Sequence, residues 1–556
     1  MLAYQPTTAD SSRQDSFRWS HAEIFTSLDQ FSAPDQPEPL SGRQFAEQHG
    51  IPHATFNYWL RHYSPDPADP IGSFFCSGPG DLVLRRIVCS ALLVFEQRGA
   101  CGIRLVSDFL HMTQLDRFVA SSRSALHSLA VHLETDLAAF RDEHQPALAD
   151  QMSFQTIAVA ADEHFHNVNP CLVAIEPVSN FLLVECYRDN RNADTWTEAL
   201  EAGTTGMHVQ VVLFTSDMAK ALICCAEKDL DVQYSPDLFH IQQHLLQPLI
   251  LPLNRPIQQA EKELEKADQV CHEIDSPLDA PCTVEQFDAL IEAVKTAGAI
   301  TEQLEEAKKR KEEAVREVRG MGDDYHPFDR ETGKATTAEE VGKRLTGHLD
   351  ELQEVVEEAG LSEKAKQAVS KTRTWVGLLM GCVAWFWNLV IARVEELGLS
   401  EEQEQVVYDK LLSGHYWDRA AGRARTAEEK HRSNTMAEEL KKEAWQEGSA
   451  LSSLSEEERK EVDQVAKESA GLFQRSSSCV EGRNGRLSLQ HHGQGRVSER
   501  RLKALTVVHN YMVKRDDGTT AAERFFGQKH KEVFSWLLDR MPDLPRPAQK
   551  RSKTAA

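Results

Sequence analysis

Residues 155–162 read QTIAVAAD, a short run of apolar and β-branched residues that stops abruptly at Asp162. Such a run predicts a strand, because β-branched side chains pack well on a pleated surface. The polar stretch EHFHNVNP follows at once, so the strand is expected to end at Asp162. A carboxylate in that position is the first candidate functional residue of the chain.

Two further apolar runs continue the pattern. They read CLVAIEP from residue 171 and FLLVECY from residue 181, and the turn-like sequence Val178-Ser179-Asn180 joins them. Short apolar runs separated by such a turn predict an antiparallel meander. Three strands are therefore expected side by side.

A helix and a fourth strand come next. DTWTEALEA from residue 194 has helical spacing, and HVQVVLFTSD from residue 208 is an apolar run that ends at Asp217. A parallel fourth strand beside the first would bring Asp162 and Asp217 together, where they could share a cation. Carboxylate oxygens suit the hard ions Mg²⁺ and Mn²⁺.

Four short motifs then occur in a fixed order along the chain. They are Ser216-Asp217 with Ala219-Lys220-Ala221, Pro236-Asp237-Leu238-Phe239-His240, the S-x-x-x-E-x-x-N segment from Ser477 to Asn484, and Asn510 with Asp517 to Glu523. With these motifs the chain resembles the DDE transposases of bacterial insertion sequences over most of residues 150–260 and 471–530. The resemblance implies an α/β RNase H-like core, a mixed five-stranded sheet flanked by helices, with Glu481 as third metal ligand.

The same resemblance implies a function. The protein would bind double-stranded DNA, both the terminal inverted repeats of an insertion sequence and the target, as a homodimer or higher oligomer. Asp162, Asp217 and Glu481 would be the metal ligands and catalytic residues, holding two Mg²⁺ or Mn²⁺ ions that activate water and stabilise the leaving 3′ oxygen. The freed 3′-hydroxyl would then attack target DNA. Two alternatives stay open: an RNase H-like nuclease or resolvase without strand transfer, and a catalytically inactive, transposase-derived DNA-binding regulator.

The gap between the last two candidate ligands predicts an insertion. It measures 264 residues, far more than an uninterrupted RNase H-like fold needs. Residues 258–470 contain charged helical stretches separated by Gly, Pro and Thr, and Phe287, Leu290, Ile291 and Val294 fall on one helical face. The predicted order is an N-terminal region (1–66), a second helical domain with a weaker candidate DNA-binding motif (81–148), the first part of the core (150–257), an all-helical insertion (258–470), the second part of the core (471–540) and a basic tail (541–556).

The segment SGRQFAEQHGIPHATFNYWLRHY, residues 41–63, has helix-turn-helix spacing. It contains two helical stretches around Gly50, with Phe45, Ala46, Ile51, Phe56 and Leu60 able to pack together. The second helix would enter a major groove, although an ordinary helical hairpin is the alternative. The candidate DNA-binding residues are Arg43, Thr55, Asn57, Tyr58 and Arg61 here, and Arg483, Asn484 and Arg486 beside Glu481.

Charge is unevenly spread along the chain. The net charge is −24, yet residues 471–556 carry 17 Lys and Arg against 8 Asp and Glu, whereas residues 258–470 carry 29 against 47. A basic region can hold phosphate backbone through counterion release, while acidic helices suit contacts with protein or solvent.

One apolar segment, residues 374–394, is nearly long enough to span a bilayer. Asn388 interrupts it and acidic helices flank it, so a buried helix of the insertion is expected, and no membrane partner. Trp385 or Trp387 stacking on an unpaired base is a further hypothesis. With no targeting peptide evident, and eleven scattered cysteines without a C-x-x-C motif, a cytoplasmic protein is expected, nucleoid-associated in a bacterium.

Overall fold

The computed structural model describes residues 19–33, 40–63, 68–166, 169–275, 283–424, 426–494 and 497–547. Residues 1–18 of the predicted N-terminal region and residues 548–556 of the predicted tail lie outside this description. Two compact units divide the chain. The first comprises Met1–Leu148, Leu487–Thr520 and Lys529–Ala556, and the second comprises Ala149–Arg486 and Ala521–Gln528.

Three short helices begin the first unit: α1 (His21–Ser32), α2 (Gly42–Gln48) and α3 (His53–His62). Ser20 and Ser41 close capping boxes at the starts of α1 and α2. Gly50 has a φ of +64° between α2 and α3, a conformation that glycine adopts without a steric penalty. The helices share a core that includes Phe45, Ala46, Ile51 and Phe56, with Leu60 partly buried against it. The packing predicted around Gly50 is confirmed, and α1 adds a third helix.

The rest of the amino-terminal part is also helical. Its elements are α4 (Pro70–Phe75), α5 (Gly78–Ala91), a π-helical turn (Leu92–Arg98), α6 (Ile103–Met112), a 3-10 turn (Leu115–Arg117) and α7 (Arg123–Gln151). Helix α5 begins at a Ser77 cap with Pro79 in its first turn, where the missing N–H of proline costs no hydrogen bond.

Five strands form one mixed, open sheet: β1 (Gln155–His166), β2 (Asn169–Glu176), β3 (Phe181–Tyr187), β4 (Val209–Ser216) and β5 (Gln233–Pro236). The strand order is β3-β2-β1-β4-β5. β1, β2 and β3 are antiparallel neighbours, whereas β4 is parallel to β1 and β5 is parallel to β4. The helix α8 (Ala193–Thr204) precedes β4, and α9 (Lys220–Cys224) with a π-helical turn (Cys225–Asp229) precedes β5. The predicted meander and mixed five-stranded sheet are confirmed.

β1 is longer than predicted. It continues to His166, and its pairing with β2 runs on from Asp162↔Val173 to His166↔Asn169. The pairing with β4 stops at Ala161↔Ser216. The prediction that the strand ends at Asp162 is therefore wrong, because β2 still supplies backbone partners to a stretch whose side chains are only partly buried. Asp162 is instead the first residue of β1 beyond its pairing with the parallel strand β4.

A helical insertion follows β5. Its elements are α10 (Leu238–Asp275), α11 (Val284–Asp324), α12 (Ala338–Glu358), α13 (Glu363–Glu395), α14 (Glu401–Val406), a π-helical turn (Val407–Leu412), α15 (Ser413–Arg423), α16 (Ala427–Trp445), a 3-10 turn (Ala450–Ser453) and α17 (Glu456–Ala470). The helical character predicted for residues 258–470 is confirmed, and the first helix begins earlier than predicted, at Leu238.

The insertion has its own apolar core, and its two ends meet. Side chains from α10 to α17 form one buried cluster. The Leu238 amide donates to the Arg475 carbonyl at 3.0 Å, and the Ser235 hydroxyl donates to the Gln474 carbonyl at 3.4 Å. The chain therefore leaves the sheet at the end of β5 and returns to the same place before it reaches Glu481.

Helices α10 and α11 pack along each other through a second, smaller cluster that includes Ile257, Leu304 and Ala307. The apolar residues predicted to share one helical face lie on α11, but Phe287 and Val294 are more than half exposed. These side chains are therefore not part of either described core.

α13 is the one described helix that is long and apolar enough to cross a membrane by length and composition. One face of it, including Leu379 and Phe386, is buried in the insertion core. Cys382 Sγ donates to the Tyr234 carbonyl of β5 at 3.3 Å, and Trp387 Nε1 donates to the Thr336 carbonyl at 2.9 Å. These contacts join one face of α13 to the sheet and to the other helices of this core. Trp387 and Trp385 are both partly buried against the same core.

The last helices are α18 (Ser478–Gln494), α19 (Glu499–Tyr511), α20 (Ala521–Phe526) and α21 (Val533–Arg540). The predicted second part of the core, 471–540, is shared between the two units. In the second unit, Phe525 of α20 stacks on Phe181 of β3 with ring centroids 4.5 Å apart. In the first unit, the buried Arg501 of α19 pairs with Glu96 at 2.8 Å and Glu134 at 3.4 Å. This arginine of the basic region thus neutralises buried carboxylates.

Candidate metal centre

Two neighbouring parallel strands bring Asp162 and Asp217 together. The last register pair of β1 and β4 is Ala161↔Ser216, so the two aspartates are the next residues on adjacent strands. Glu163 joins them: one carboxylate oxygen from each of the three lies within 4.8 Å of the others. The sequence analysis left Glu163 out because nothing distinguished it from the polar stretch that follows Asp162.

Burial and nearby negative charge raise the pKa of Asp162 and of Glu163. Burial, and then the charges of Asp217 and Glu163, raise the pKa of Asp162 to about 7, although the Glu163 amide donates to its Oδ1 at 2.8 Å. The pKa of Glu163 is also raised, first by burial and then by Asp217, with Arg191 acting in the opposite direction. Clustered, partly buried carboxylates are costly to ionise until a cation joins them.

Helix α18 lies against this group. Asn484 Nδ2 donates to Asp162 Oδ2 at 2.9 Å, and Glu481 is three residues earlier on the same helix. Residues three apart occupy one face of a helix, so Glu481 and Asn484 face the same way. Helix α18 therefore brings Asn484, and Glu481 on the same helical face, to the end of the β1–β4 pairing.

Asp237 fixes the start of α18 next to the sheet. It is fully buried at the end of β5, where its Oδ1 accepts from the Phe239 amide at 2.7 Å. Its Oδ2 accepts from the Ser477 amide at 2.7 Å and from the Ser477 hydroxyl. A single carboxylate therefore caps the first turn of α10 and anchors the segment that leads into α18.

Glu481 belongs to a second group of possible ligands. Its carboxylate, His240 and Asp237 offer atoms within 4.8 Å of one another, and His240 Nε2 lies 3.6 Å from Glu481 Oε1. The interaction with His240 also opposes the rise in the pKa of Asp162. The structure thus places Glu481 beside His240, in a neighbouring group, while Glu163 completes the group that contains the two aspartates.

Several buried polar atoms around these groups make no hydrogen bond. They are Glu163 Oε1, His240 Nε2 and Asn484 Oδ1. Glu163 Oε1 lies 3.5 Å from Arg191 Nη1 and His240 Nε2 lies 3.6 Å from Glu481 Oε1, so hydrogen-bonding capacity remains at all three atoms. Together with the three carboxylates, the donor set fits a hard divalent cation such as Mg²⁺ or Mn²⁺.

The residues beside Glu481 divide into two kinds. Arg483 was predicted to bind DNA, but it is buried, and its Nε and Nη2 donate to the two carboxylate oxygens of Glu185 at 2.6 and 2.7 Å. One edge of the guanidinium therefore holds α18 on β3, and DNA binding by Arg483 stays a prediction. Asn484 is likewise buried on Asp162, whereas Arg486 is exposed and remains a candidate DNA contact.

The candidate DNA-binding residues of the first unit lie on α2 and α3. Arg43, Tyr58 and Arg61 are exposed, and Thr55 is half-buried. Asn57 is half-buried and its Nδ2 lies 3.1 Å from His53 Nε2. An exposed face of α3 therefore carries one tyrosine and one arginine, and DNA binding by this face stays a prediction.

Comparison with known proteins gives one match. Residues 407–553 match a family described as a family of unknown function (DUF6399). The matched range includes Glu481 and Asn484 but not Asp162 or Asp217. No curated protein and no solved structure matches the chain.

Proposed function

We propose that this protein is a DNA transposase with an RNase H-like core and a metal-dependent site on its sheet. Its strand order, three antiparallel strands with a parallel fourth beside the first, supports this fold. One observation carries the proposal: Asp162 and Asp217 lie at adjacent positions of parallel strands, and Asn484 of the helix that bears Glu481 is bonded to Asp162. Three distant segments of the chain thus meet at one point.

In the proposed site, Asp162 and Asp217 would hold the cation, with Glu481 as the third ligand from α18. Bound Mg²⁺ or Mn²⁺, as a pair of ions, would supply Lewis acidity for water activation and charge stabilisation at the leaving 3′ oxygen. Asn484 would orient the Asp162 carboxylate, since it bonds one of its oxygens. Asp237 and the Arg483–Glu185 pair would fix α18, so that the position of Glu481 does not depend on the distant helices of the insertion.

Basic and polar residues outside the carboxylate group would hold the rest of the DNA. Arg486 is exposed on α18, five residues after Glu481. Arg43, Tyr58 and Arg61 offer a second contact surface on the amino-terminal helices. Phosphate contacts of this kind position DNA without reading its sequence.

The test is a cleavage and joining assay on the inverted repeats that flank the gene. With Mg²⁺ or Mn²⁺, the purified protein should nick DNA at the repeat end, and it should join a precleaved end to a plasmid. Asp217→Asn should lose both activities while retaining binding to the repeats in a mobility-shift assay. Full cleavage by that variant would reject the assignment.

A nuclease without strand transfer is a second candidate, and one observation favours it. Asp162, Glu163 and Asp217 form a ligand group without Glu481. If this group alone holds the metal, hydrolysis needs no contribution from α18. Cleavage by the wild-type protein, together with failure to join precleaved ends, would support the nuclease.

A further inference from the structure

An exposed aromatic ring and a guanidinium lie next to the carboxylate group. Phe165 follows Glu163 by two positions on β1, so the two side chains are on the same face of the strand. The Arg191 guanidinium lies over the Phe165 ring, 5.0 Å from its centroid, and Arg191 Nη1 is 3.5 Å from Glu163 Oε1. Phe165 is 51% exposed and the Arg191 side chain is 53% exposed.

The loop that carries Arg191 is held on both sides. Asn190 Oδ1 accepts from the Asn192 amide at 3.1 Å and from the Thr195 hydroxyl at 2.6 Å. Asn192 Oδ1 caps α8 by accepting from the Thr195 amide at 2.9 Å. Arg191 is therefore presented at a defined place beside the carboxylates, and little ordering of the loop is required when a ligand binds.

The contact with Glu163 does not use up the guanidinium. The Glu163 side chain is buried and contacts one terminal nitrogen of Arg191, whose own side chain is 53% exposed, and arginine has five N–H donors. A planar cation beside an exposed ring has the chemistry that binds a nucleotide, because the guanidinium pairs with phosphate and the ring stacks on a base.

We propose that Phe165 and Arg191 bind the nucleotide next to the scissile phosphate, with Arg191 on a phosphate oxygen and Phe165 stacked on an unpaired base. This inference rests on the proposed function, since it names how that site takes its DNA strand. The pair lies beside Glu163, which has a carboxylate oxygen within 4.8 Å of Asp162 and Asp217, so a strand bound there would lie next to the carboxylate group. An unpaired base is required, because a base inside a duplex has no free face for the ring.

The experiment measures binding of a fluorescent single-stranded oligonucleotide, and of the same sequence as a blunt duplex, by anisotropy with the full-length protein in Ca²⁺. Phe165→Ala should weaken single-strand binding about tenfold and leave duplex binding unchanged. Arg191→Ala should weaken both, and Arg191→Lys should recover part of the loss because it keeps the charge without the fork. Phe154→Ala and Arg310→Ala are matched controls. Phe154 is an exposed phenylalanine that immediately precedes β1, at the opposite end of the strand from Phe165, and Arg310 is an arginine that pairs with the surface residue Glu306. Both should bind like wild type.

The outcomes separate this inference from the proposed function. Single-strand affinities of Phe165→Ala and Arg191→Ala equal to wild type would overturn the nucleotide site, whatever the cleavage assay gives. Failure of the wild-type protein to bind single strands would also overturn it. Binding with the expected pattern, but no cleavage in Mg²⁺ or Mn²⁺, would retain the nucleotide site and reject the transposase activity. Phe165→Ala should keep the wild-type melting temperature because its ring is half exposed, whereas Arg191→Ala removes the counter-charge of the buried Glu163, so its binding is compared with that of Arg191→Lys, which keeps the charge.

Discussion

Two acidic clusters of the second unit differ in how their charge is balanced. In the insertion, His348 of α12 lies between two carboxylates of α11, with Nδ1 2.7 Å from Glu317 Oε2 and Nε2 2.9 Å from Asp324 Oδ2. Arg316 and Arg344 add further positive charge at these carboxylates. At the sheet, Asp162, Glu163 and Asp217 lie close to one another, and the one arginine that pairs with them among the described ion pairs, Arg191, contacts Glu163.

The pKa shifts express this difference. Hydrogen bonding to Asp324 and Glu317 raises the pKa of His348, so the cation that this cluster needs is built into the protein. At the sheet, burial and like charges raise the pKa of Asp162 to about 7. A cluster that supplies its own cation joins two helices, whereas a cluster that lacks one is suited to bind a metal ion from solution.

The largest expected effect is on DNA cleavage, which should depend on the sheet cluster and not on the cluster in the insertion. Asp162→Asn and Asp217→Asn should each reduce metal-dependent DNA cleavage by about 10³-fold or more, because a missing ligand removes stabilisation of the transition state. Glu317→Gln is the matched control in the insertion and should cleave at the wild-type rate. Comparable losses from all three variants would show that the sheet cluster has no special role.

The next effect is on stability of the insertion. His348→Ala should lower the free energy of unfolding by about 2–3 kcal/mol, because it leaves Glu317 and Asp324 partly buried without their shared partner. Gly320→Ala should also destabilise, since a Cβ there would lie 2.3 Å from His348 Cε1. Urea unfolding measures both, with Lys366→Ala, which removes an exposed pair, as the control. Wild-type stability of His348→Ala would mean that the contacts of His348 with Glu317 and Asp324 contribute nothing to the free energy of unfolding.

The sheet cluster should respond in the opposite direction. Without metal, Asp162→Asn should raise the free energy of unfolding by about 2 kcal/mol, because the amide removes a buried charge from among like charges. Added Mn²⁺ should stabilise wild type and not the variant. Thermal melts with and without Mn²⁺ test this, and a variant less stable than metal-free wild type would contradict it.

The smallest effect is a pH dependence of the stability that His348 contributes. The pKa of His348 is higher in the folded protein than the ordinary value of 6.5, so the folded state binds this proton more tightly. Its contribution to stability is therefore complete below about pH 6.5 and is lost as the pH rises through the folded pKa. The difference in unfolding free energy between wild type and His348→Gln should be larger at pH 6 than at pH 9. A difference that grows with pH would contradict this assignment.

The sequence alone predicted part of the sheet and two of the candidate ligands. The apolar runs that stop at Asp162 and Asp217 predicted two strands and the proximity of the two aspartates, because both runs lose apolar character where the β1–β4 pairing ends. Glu481 came only from the resemblance, since no local pattern says which of the many carboxylates a helix will carry to a distant sheet. The true end of β1 was missed because pairing with β2, and not side-chain polarity, decides where that strand stops.

Other contacts depend on packing that sequence patterns do not encode. Arg483 was expected to face DNA because it is a cation beside Glu481, yet Glu185 of β3 takes it into the interior. His348 gave no signal at all, since its partners lie 24 and 31 positions away and on another helix. Glu163 and His240 were visible as neighbours of candidate ligands, but only their shared place at the end of the sheet separates them from ordinary surface residues.

The central claim is that the sheet cluster is a metal centre, and calorimetric titration of the full-length protein with Mn²⁺ tests it most directly. Wild type should bind Mn²⁺, with affinity lost in Asp217→Asn, reduced in Glu163→Gln and Glu481→Gln, and unchanged in Glu317→Gln. Absence of Mn²⁺ binding by wild type, or equal binding by Asp217→Asn, would contradict the claim.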